Sequence, residues 1–365
     1  MQYKVIGLMS GSSLDGLDIA YVHFEETGGR WNFEIRETDC IPYFPDLREK
    51  LAGANRLPAR EYLLLHTDFG HYLGTAVNNF IEKNGLEYQV QLVASHGHTS
   101  FHVPEKKMTA QLGDGSVIAA ITGIHTITDF RNTDVALGGQ GAPVVPIGEK
   151  LLFGEYDLFL NIGGIANISA KLPSPAGFDV CPANRILNLL AKDPDKGYDE
   201  DGRLASKGSV QDQLLYELNQ FDYYKLHFPK SLSNDFGLKE ILPVIEKANL
   251  SREDALRTYT EHIAVQIDLA ADSLLSNVRG EETTASLKLL ATGGGAHNLF
   301  LLERVRTLMM RKNIELVVPT NELVDYKEAL IIALMGALRW REEENVLSSV
   351  TGSSRNSING AIWSS

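Results

Sequence analysis

Apolar and polar positions alternate with a period of two in some stretches of this chain and recur every three to four residues in others. Near the start, the apolar run Val5-Ile6-Gly7-Leu8 enters a turn of small residues, and the alternating run Leu17-Asp18-Ile19-Ala20-Tyr21-Val22 leaves it. That is the pattern of strand, turn and strand, and residues 3–40 predict a three-stranded meander with turns at 11–16 and 27–29. The pattern returns at 158–169, where Leu158-Phe159-Leu160-Asn161-Ile162 meets Gly163-Gly164 and leaves through Ile165-Ala166-Asn167-Ile168-Ser169. Helical spacing dominates 58–83 (Tyr62, Leu65, Phe69, Tyr72, Leu73, Ala76, Phe80), with Gly85 as its stop. Residues 91–94 predict a short strand running into a loop, Ser95-His96-Gly97-His98-Thr99. A helix capped by Asp114 follows, then a strand at 125–128 leading to Asp129-Phe130-Arg131.

Further helices are predicted at 182–192, 209–220, 238–248 and 252–275, and a buried strand at 287–291 enters Thr292-Gly293-Gly294-Gly295-Ala296-His297-Asn298. A last helix at 326–341 is expected to pack back across the domain junction. Leu137-Gly138-Gly139-Gln140-Gly141-Ala142-Pro143 reads as a hinge, so the expected domains are 1–137 and 138–365. The order hairpin, helix, strand, loop recurs in each half, and the class is α/β with two domains.

Composition narrows the function more than the fold. A chain of 365 residues can bury two cores, and 44% hydrophobic with 22% charged residues is ordinary for a globular protein. No apolar run approaches the roughly 20 residues needed to span a bilayer. The first residues read as a strand without a basic, apolar leader, and Cys40 and Cys181 are too few for a disulfide framework, so a cytoplasmic location is expected. A net charge of −13 disfavours nucleic acid, because phosphate-backbone binding needs clustered Lys and Arg. A small anionic ligand stays open, since local N–H donors, a bound Mg²⁺ and one or two arginines override a distant field. The expectation is an enzyme acting on a small molecule, with neither a membrane nor a nucleic-acid partner; a homodimer is left open.

Glycine lets backbone N–H groups approach an anion, and Ser12, Ser13 and Asn167 add side-chain donors, so both hairpins are candidate phosphate cradles. Asp15 and Asp18 would repel phosphate there unless they hold Mg²⁺ or order a hydroxyl. Gly293-Gly294-Gly295, between a strand and a helix, leaves room for a flat ring or a phosphate on bare backbone. His96, His98 and His102 lack a Cys or paired carboxylate to complete a metal set, and polar contacts to a hydroxyl-rich ligand suit them better. Asp179 reads either as an acidic group stabilising a helix that starts at Pro182 or as a general base, and the residues alone favour the first. Arg131 with Asp134 reads as an ion pair or as a clamp for a substrate carboxylate. The absence of Walker A, HExxH, GxSxG and helix-opening GxGxxG patterns excludes P-loop NTPases, zincins, α/β-hydrolases and ordinary dehydrogenases.

Taken in order, the motifs Gly7-Leu8-Met9-Ser10-Gly11-Ser12-Ser13-Leu14-Asp15-Gly16-Leu17-Asp18, Ser95-His96-Gly97-His98-Thr99, Asp129-Phe130-Arg131 with Gly138-Gly139-Gln140-Gly141-Ala142-Pro143, and Asn161-Ile162-Gly163-Gly164-Ile165-Ala166-Asn167 carry a resemblance. Gly177-Phe178-Asp179, Gly293-Gly294-Gly295-Ala296-His297-Asn298, Glu328-Ala329-Leu330 and Thr351-Gly352-Ser353-Ser354-Arg355 extend it over nearly the full length. The chain resembles the anhydro-N-acetylmuramic acid kinases.

The resemblance implies the two-domain sugar kinase/Hsp70/actin-like ATPase fold with ATP in an interdomain cleft. It implies opening of the 1,6-anhydro bridge of the sugar with phosphorylation in the same turnover, to give N-acetylmuramic acid 6-phosphate for cell-wall recycling. It makes Asp179 the general base, reversing the preference above. Gly11, Ser12, Ser13, Leu14, Asp15, Gly16, Leu17 and Asp18, with Asn161, Gly163 and Gly164, are then expected at the ATP phosphates. Gly293, Gly294, Gly295 and Asn298 are expected near the nucleoside. His96, Arg131, Asn184 and Glu328 are expected on the sugar side, and Mg²⁺ is expected with the ATP, Asp15 being its candidate ligand. Ser12 replaces the family's usual Thr, His98 a common Gln, and Val180-Cys181-Pro182-Ala183-Asn184 the usual Thr-Gly-Pro-Gly-Asn. These departures bear on which anhydrosugar fits. Another anhydrosugar such as levoglucosan, or a non-catalytic nucleotide-dependent sugar sensor, are the alternative readings.

Overall fold

Three strands, β1 (Gln2–Ser10), β2 (Gly16–Thr27) and β3 (Arg30–Pro42), form the antiparallel meander that the alternation predicts. In this computed structural model residues 1–11, 14–171, 175–191, 197–228, 230–233, 235–276 and 286–365 are described; Ser12 and Ser13 lie outside them. Ile6, Leu8, Leu17, Ile19 and Tyr21 share one core with the helix Ala59–Asn84, which presents Leu65, Phe69, Leu73, Val77 and Phe80 at helical spacing. That helix ends where Gly85 takes a left-handed conformation (φ 62°) and its N–H caps the last carbonyls.

Beyond β1 runs β4 (Leu92–Val103), parallel to it, and β4 pairs antiparallel with β5 (Met108–Leu112). The short strand and loop expected at 91–99 are therefore one continuous strand. The reason is a bulge: Leu8 faces Ser95 but Ser10 faces His98, so β4 spends an extra residue, and Gly97 there has φ 70°. The bulge breaks the period-two pattern that would have announced a strand. Asp114 caps the helix Gly115–Thr122 by accepting the Ser116 N–H. β6 (Thr126–Thr128) lies parallel to β4, and the C-terminal strand Ala361–Trp363 pairs antiparallel with β6, giving a seven-stranded sheet among the described residues.

The chain divides into two compact units, Met1–Gly154 with Tyr326–Ser365, and Glu155–Asp325. This is not the expected division at 137/138. Residues 138–154 stay with the first unit because they are tied to it: Gln140 donates its N–H to the Thr351 carbonyl (2.8 Å) and Gly141 to Asp134 Oδ2 (2.7 Å). Phe153 packs edge-on to Phe33 at 5.5 Å. The glycine-rich stretch read as a hinge is thus anchored within one unit. The last long helix, Asn321–Trp340, starts earlier than expected, and from residue 326 onward the chain belongs to the first unit. It lies so near the sheet that a Cβ on Gly336 would come within 2.6 Å of the Ala94 side chain.

The second unit repeats the scheme. β7 (Leu158–Ile162), β8 (Ile165–Ala170) and β9 (Ala176–Pro182) are antiparallel, and β10 (Leu287–Thr292) and β11 (Ile314–Val317) add parallel strands beside β7. Leu158, Leu160, Ile168 and Leu289 pack with the helices Arg252–Leu275 and Leu299–Met310 through Leu256, Tyr259, Ile263, Leu301 and Val305. Pro182 does not open a helix. It ends β9 opposite Ile165, a strand end where a missing N–H is tolerated, and the helix Asn184–Ala191 begins two residues later. The helix expected at 238–248 is a π-helical turn, Gly237–Ile241, running into Leu242–Lys247. Pro243 has no N–H to give to the preceding turn, and the widened turn absorbs that loss.

Candidate active site

In the first unit the turn between β1 and β2 gathers carboxylates beside backbone donors. Leu14 sits at φ 57°, Gly16 donates its N–H to Asp15 Oδ1 (3.0 Å), and the Tyr43 N–H donates to the Asp15 carbonyl (3.3 Å). Asp18 faces Met9 and Cys40 across the strands. The Cys40 thiol is pushed up to about 12, first by burial and then by Asp18. The Leu17 side chain is fully buried in the core, which leaves only its main chain for a ligand.

A buried hydrogen-bond chain starts one residue before Gly11. Tyr43 donates its hydroxyl to Ser10 Oγ (2.7 Å), which lies 3.1 Å from His98 Nδ1. Ser10 Oγ has one proton to give and two lone pairs to accept with, so both neutral tautomers of His98 complete the chain. Burial lowers His98 to about 4, so the ring is neutral. His96 is neutral for a related reason: its pKa falls to about 3 by burial and then by the charge on Arg131. Its Nδ1–H donates to the Gly97 carbonyl (2.8 Å), and its Nε2 accepts from Arg131 Nε (2.9 Å). Both nitrogens are committed, so His96 holds Arg131 rather than reaching past it.

Arg131 and Asp15 both act electrostatically on Glu328, where burial raises the carboxyl pKa and Lys327 and Arg131 oppose the rise. Behind Glu328, Lys327 pairs with Glu149 at 3.0 Å, both nearly fully buried. Asp134 is also buried and accepts from Thr351 Oγ1 (2.6 Å) and Gly141. On the first unit, then, His96 is bonded to Arg131, and Arg131 and Asp15 both act on the charge of Glu328.

In the second unit the glycines form open backbone. Among the described residues, a Cβ on Gly163 would meet only the Ile165 carbonyl at 3.5 Å, and one on Gly164 only Arg185 Cβ at 3.9 Å. Their carbonyls accept the N–H groups of Asn184 (3.1 Å) and Ala183 (2.8 Å), which ties the hairpin tip to the helix start. Asn184 Nδ2 donates to the Ile162 carbonyl (3.1 Å), and among the described residues a Cβ on Gly294 would find only that Nδ2 at 3.7 Å. Gly293 takes φ 81° and Gly295 is buried against Ile162. Asn298 accepts the Leu301 N–H (3.0 Å) as the cap of the following helix. Asn161 lies at the end of β7 opposite Asn167 and Thr292.

Asp179 sits on β9, opposite Asn167, at another bulge. Asp179 Oδ2 accepts the Leu232 N–H (2.9 Å), and the Asp179 carbonyl accepts the Tyr223 hydroxyl. Sequence reasoning missed Ser10, Tyr43, Tyr223 and Leu232. Tyr223 and Leu232 lie in a stretch without clear periodicity, and Ser10 and Tyr43 are brought together only by strand pairing.

A family model described as anhydro-N-acetylmuramic acid kinase matches residues 3–365. This chain belongs to that family. Among proteins named anhydro-N-acetylmuramic acid kinase, that of Aliivibrio fischeri is 35% identical over 373 residues, covering 99% of each chain. That of Haemophilus influenzae is 34% identical over 383 residues, covering 98% of this chain and 97% of its own. Among solved structures, the chain is similar to the activator of the 2-hydroxyisocaproyl-CoA dehydratase from Clostridium difficile with bound ADPNP, at 14% identity and a TM-score of 0.41, over 95% and 99% of the two chains. Within the kinase family, this member's Val180, Cys181 and Ala183 are buried in the core of the second unit. No helix among the described residues is long and apolar enough to cross a membrane.

Proposed function

We propose that this chain is an ATP-dependent kinase that hydrolyses the 1,6-anhydro bridge of 1,6-anhydro-N-acetylmuramic acid and phosphorylates O6. The product is N-acetylmuramic acid 6-phosphate, an intermediate of cell-wall recycling, and the cytoplasm is the compartment this reading assigns. The observation that carries it is the family match from residue 3 to residue 365.

Asp179 takes a proton from a water that attacks the anomeric carbon, and the bond from that carbon to O6 breaks. O6, now released, attacks the γ-phosphorus of ATP, and ADP leaves. Phosphoryl transfer needs alignment and charge neutralisation more than covalent help. The open backbone at Gly163 and Gly164 suits phosphate oxygens, and that at Gly294 leaves room for the nucleoside. By the family resemblance, the segment 11–18 also serves the ATP phosphates. Asp15 and Asp18 are hard oxygen donors of the kind Mg²⁺ prefers and would hold it there. When bound, Mg²⁺ neutralises phosphate charge.

On the sugar side, His96 fixes Arg131 by accepting from its Nε, and Arg131 is the group suited to the lactyl carboxylate of a muramyl sugar. Levoglucosan has no such carboxylate. The test is a phosphate-transfer assay of both purified anhydrosugars with ATP and Mg²⁺. Turnover of the muramyl sugar supports the reading; turnover of levoglucosan alone, or of neither sugar, overturns it.

A further inference from the structure

The bulge in β9 exposes a structural requirement of its own. Ala166 pairs with Cys181 and Asn167 with Asp179, so β9 spends an extra residue, Val180, where β8 advances by one. Bulges disrupt the ladder locally and re-aim the side chains beside them, at the cost of the strand's own restraint on backbone direction. Asp179, paired with Asn167 on the edge strand, is also held from outside the sheet. Its main-chain carbonyl accepts the Tyr223 hydroxyl, and its Oδ2 accepts the Leu232 N–H at 2.9 Å.

Both donors belong to one short stretch, and that stretch is fastened to the same strand. Lys230 Nζ donates to the Tyr223 carbonyl (3.3 Å) and stands 4.8 Å from the Tyr223 ring centroid and 5.2 Å from that of Phe178, the residue before Asp179. Phe228 stacks on Phe178 at 5.4 Å with the rings 9° apart. Tyr223 also packs on Phe236 at 5.7 Å. The aromatic contacts hold the hydroxyl in place, and the hydroxyl holds the backbone from which the carboxylate projects.

We propose that Tyr223 is a positioning residue for Asp179: its hydroxyl pins the main-chain carbonyl of this edge-strand residue, while the Leu232 N–H pins the carboxylate. This rests on the reading of Asp179 as the general base. A base must stay within about 0.5 Å of its productive geometry, and small misplacements from indirect contacts are costly. Tyr223 spends its hydroxyl on the Asp179 main chain, so its effect is expected to fall on kcat through Asp179 and to leave sugar affinity nearly unchanged.

The test is a double-mutant cycle with Asp179→Asn, Tyr223→Phe and both together, assayed for phosphate transfer to the anhydrosugar. Tyr223→Phe keeps the ring and its packing, and melting curves run on every variant report folding. The expected result is a loss of about tenfold in kcat with KM changed less than about twofold, and no further loss when Tyr223→Phe is added to Asp179→Asn. Normal kcat in Tyr223→Phe beside a crippled Asp179→Asn overturns the positioning role alone. An equal tenfold loss in both backgrounds also overturns it, because a general structural defect does not depend on the carboxylate. Near-normal turnover in Asp179→Asn overturns the base assignment itself.

Discussion

Lys327 keeps 2% of its side chain exposed, and Glu149 stands 3.0 Å away, with 6% exposed. A buried pair of this kind gains little over well-packed apolar residues, yet removing one partner strands a charge in a medium that solvates it poorly. Lys327→Met is expected to cost about 3–5 kcal/mol in urea unfolding, and adding Glu149→Leu should restore much of that loss. A single substitution no more costly than the double would contradict the buried pairing. On the sequence, Lys327 is one polar residue in an apolar helix and reads as solvent-facing; Glu328 was legible only through the motif Glu328-Ala329-Leu330. Periodicity identifies which face of a helix is buried, but not which polar residue on that face has found a partner.

At the scale of elements, both hairpins and their glycine tips were legible, because strand alternation ending in small residues has few other solutions. The bulges in β4 and β9 were not. Each adds one residue to a strand, and one residue is enough to turn an alternating pattern into something that reads as a loop or a helix start. Gly97 makes the first bulge possible: it lies at φ 70°, and a Cβ there would run into the Leu112 carbonyl. Gly97→Ala is expected to destabilise the first unit by at least about 1–2 kcal/mol and to disturb the Ser10–His98 contact. Urea unfolding reads the first effect, and the histidine nitrogen resonances, which distinguish the two tautomers, read the second. Unchanged stability with an unchanged His98 tautomer would sink the bulge argument. Pro182 carries the opposite lesson: proline suits a helix start and a strand end alike, and only the pairing with Ile165 decides between them.

For the whole molecule, buried neutral histidines set the response to acid. His96 and His262 are lowered to about 3 and His98 to about 4, in each case chiefly by burial. Between the usual value of about 6.5 and those lower values, the unfolded chain binds protons that the folded chain does not. The stability they permit is therefore complete above about pH 6.5 and falls as the pH drops toward 4, by about 1.4 kcal/mol per pH unit for each histidine inside its window. Urea midpoints measured from pH 7 to pH 4.5 should decline, and His262→Gln should decline less steeply than the parent. Equal slopes would contradict a neutral His262 in the core. The doubled α/β plan was legible from the recurring hairpins. The division between units was not, because a glycine-rich stretch looks the same whether it links two bodies or, as here, is tied to one through Asp134 and Thr351.

The central claim is that one carboxylate on β9 activates water against the anhydro bridge while ATP supplies the phosphoryl group. It is tested most directly by the turnover of 1,6-anhydro-N-acetylmuramic acid with ATP and Mg²⁺, followed by phosphorus NMR for the parent and for Asp179→Asn. The account predicts the 6-phosphate from the parent and a rate at least about 10²-fold lower from the variant. A variant that turns over at nearly the parent rate would contradict it.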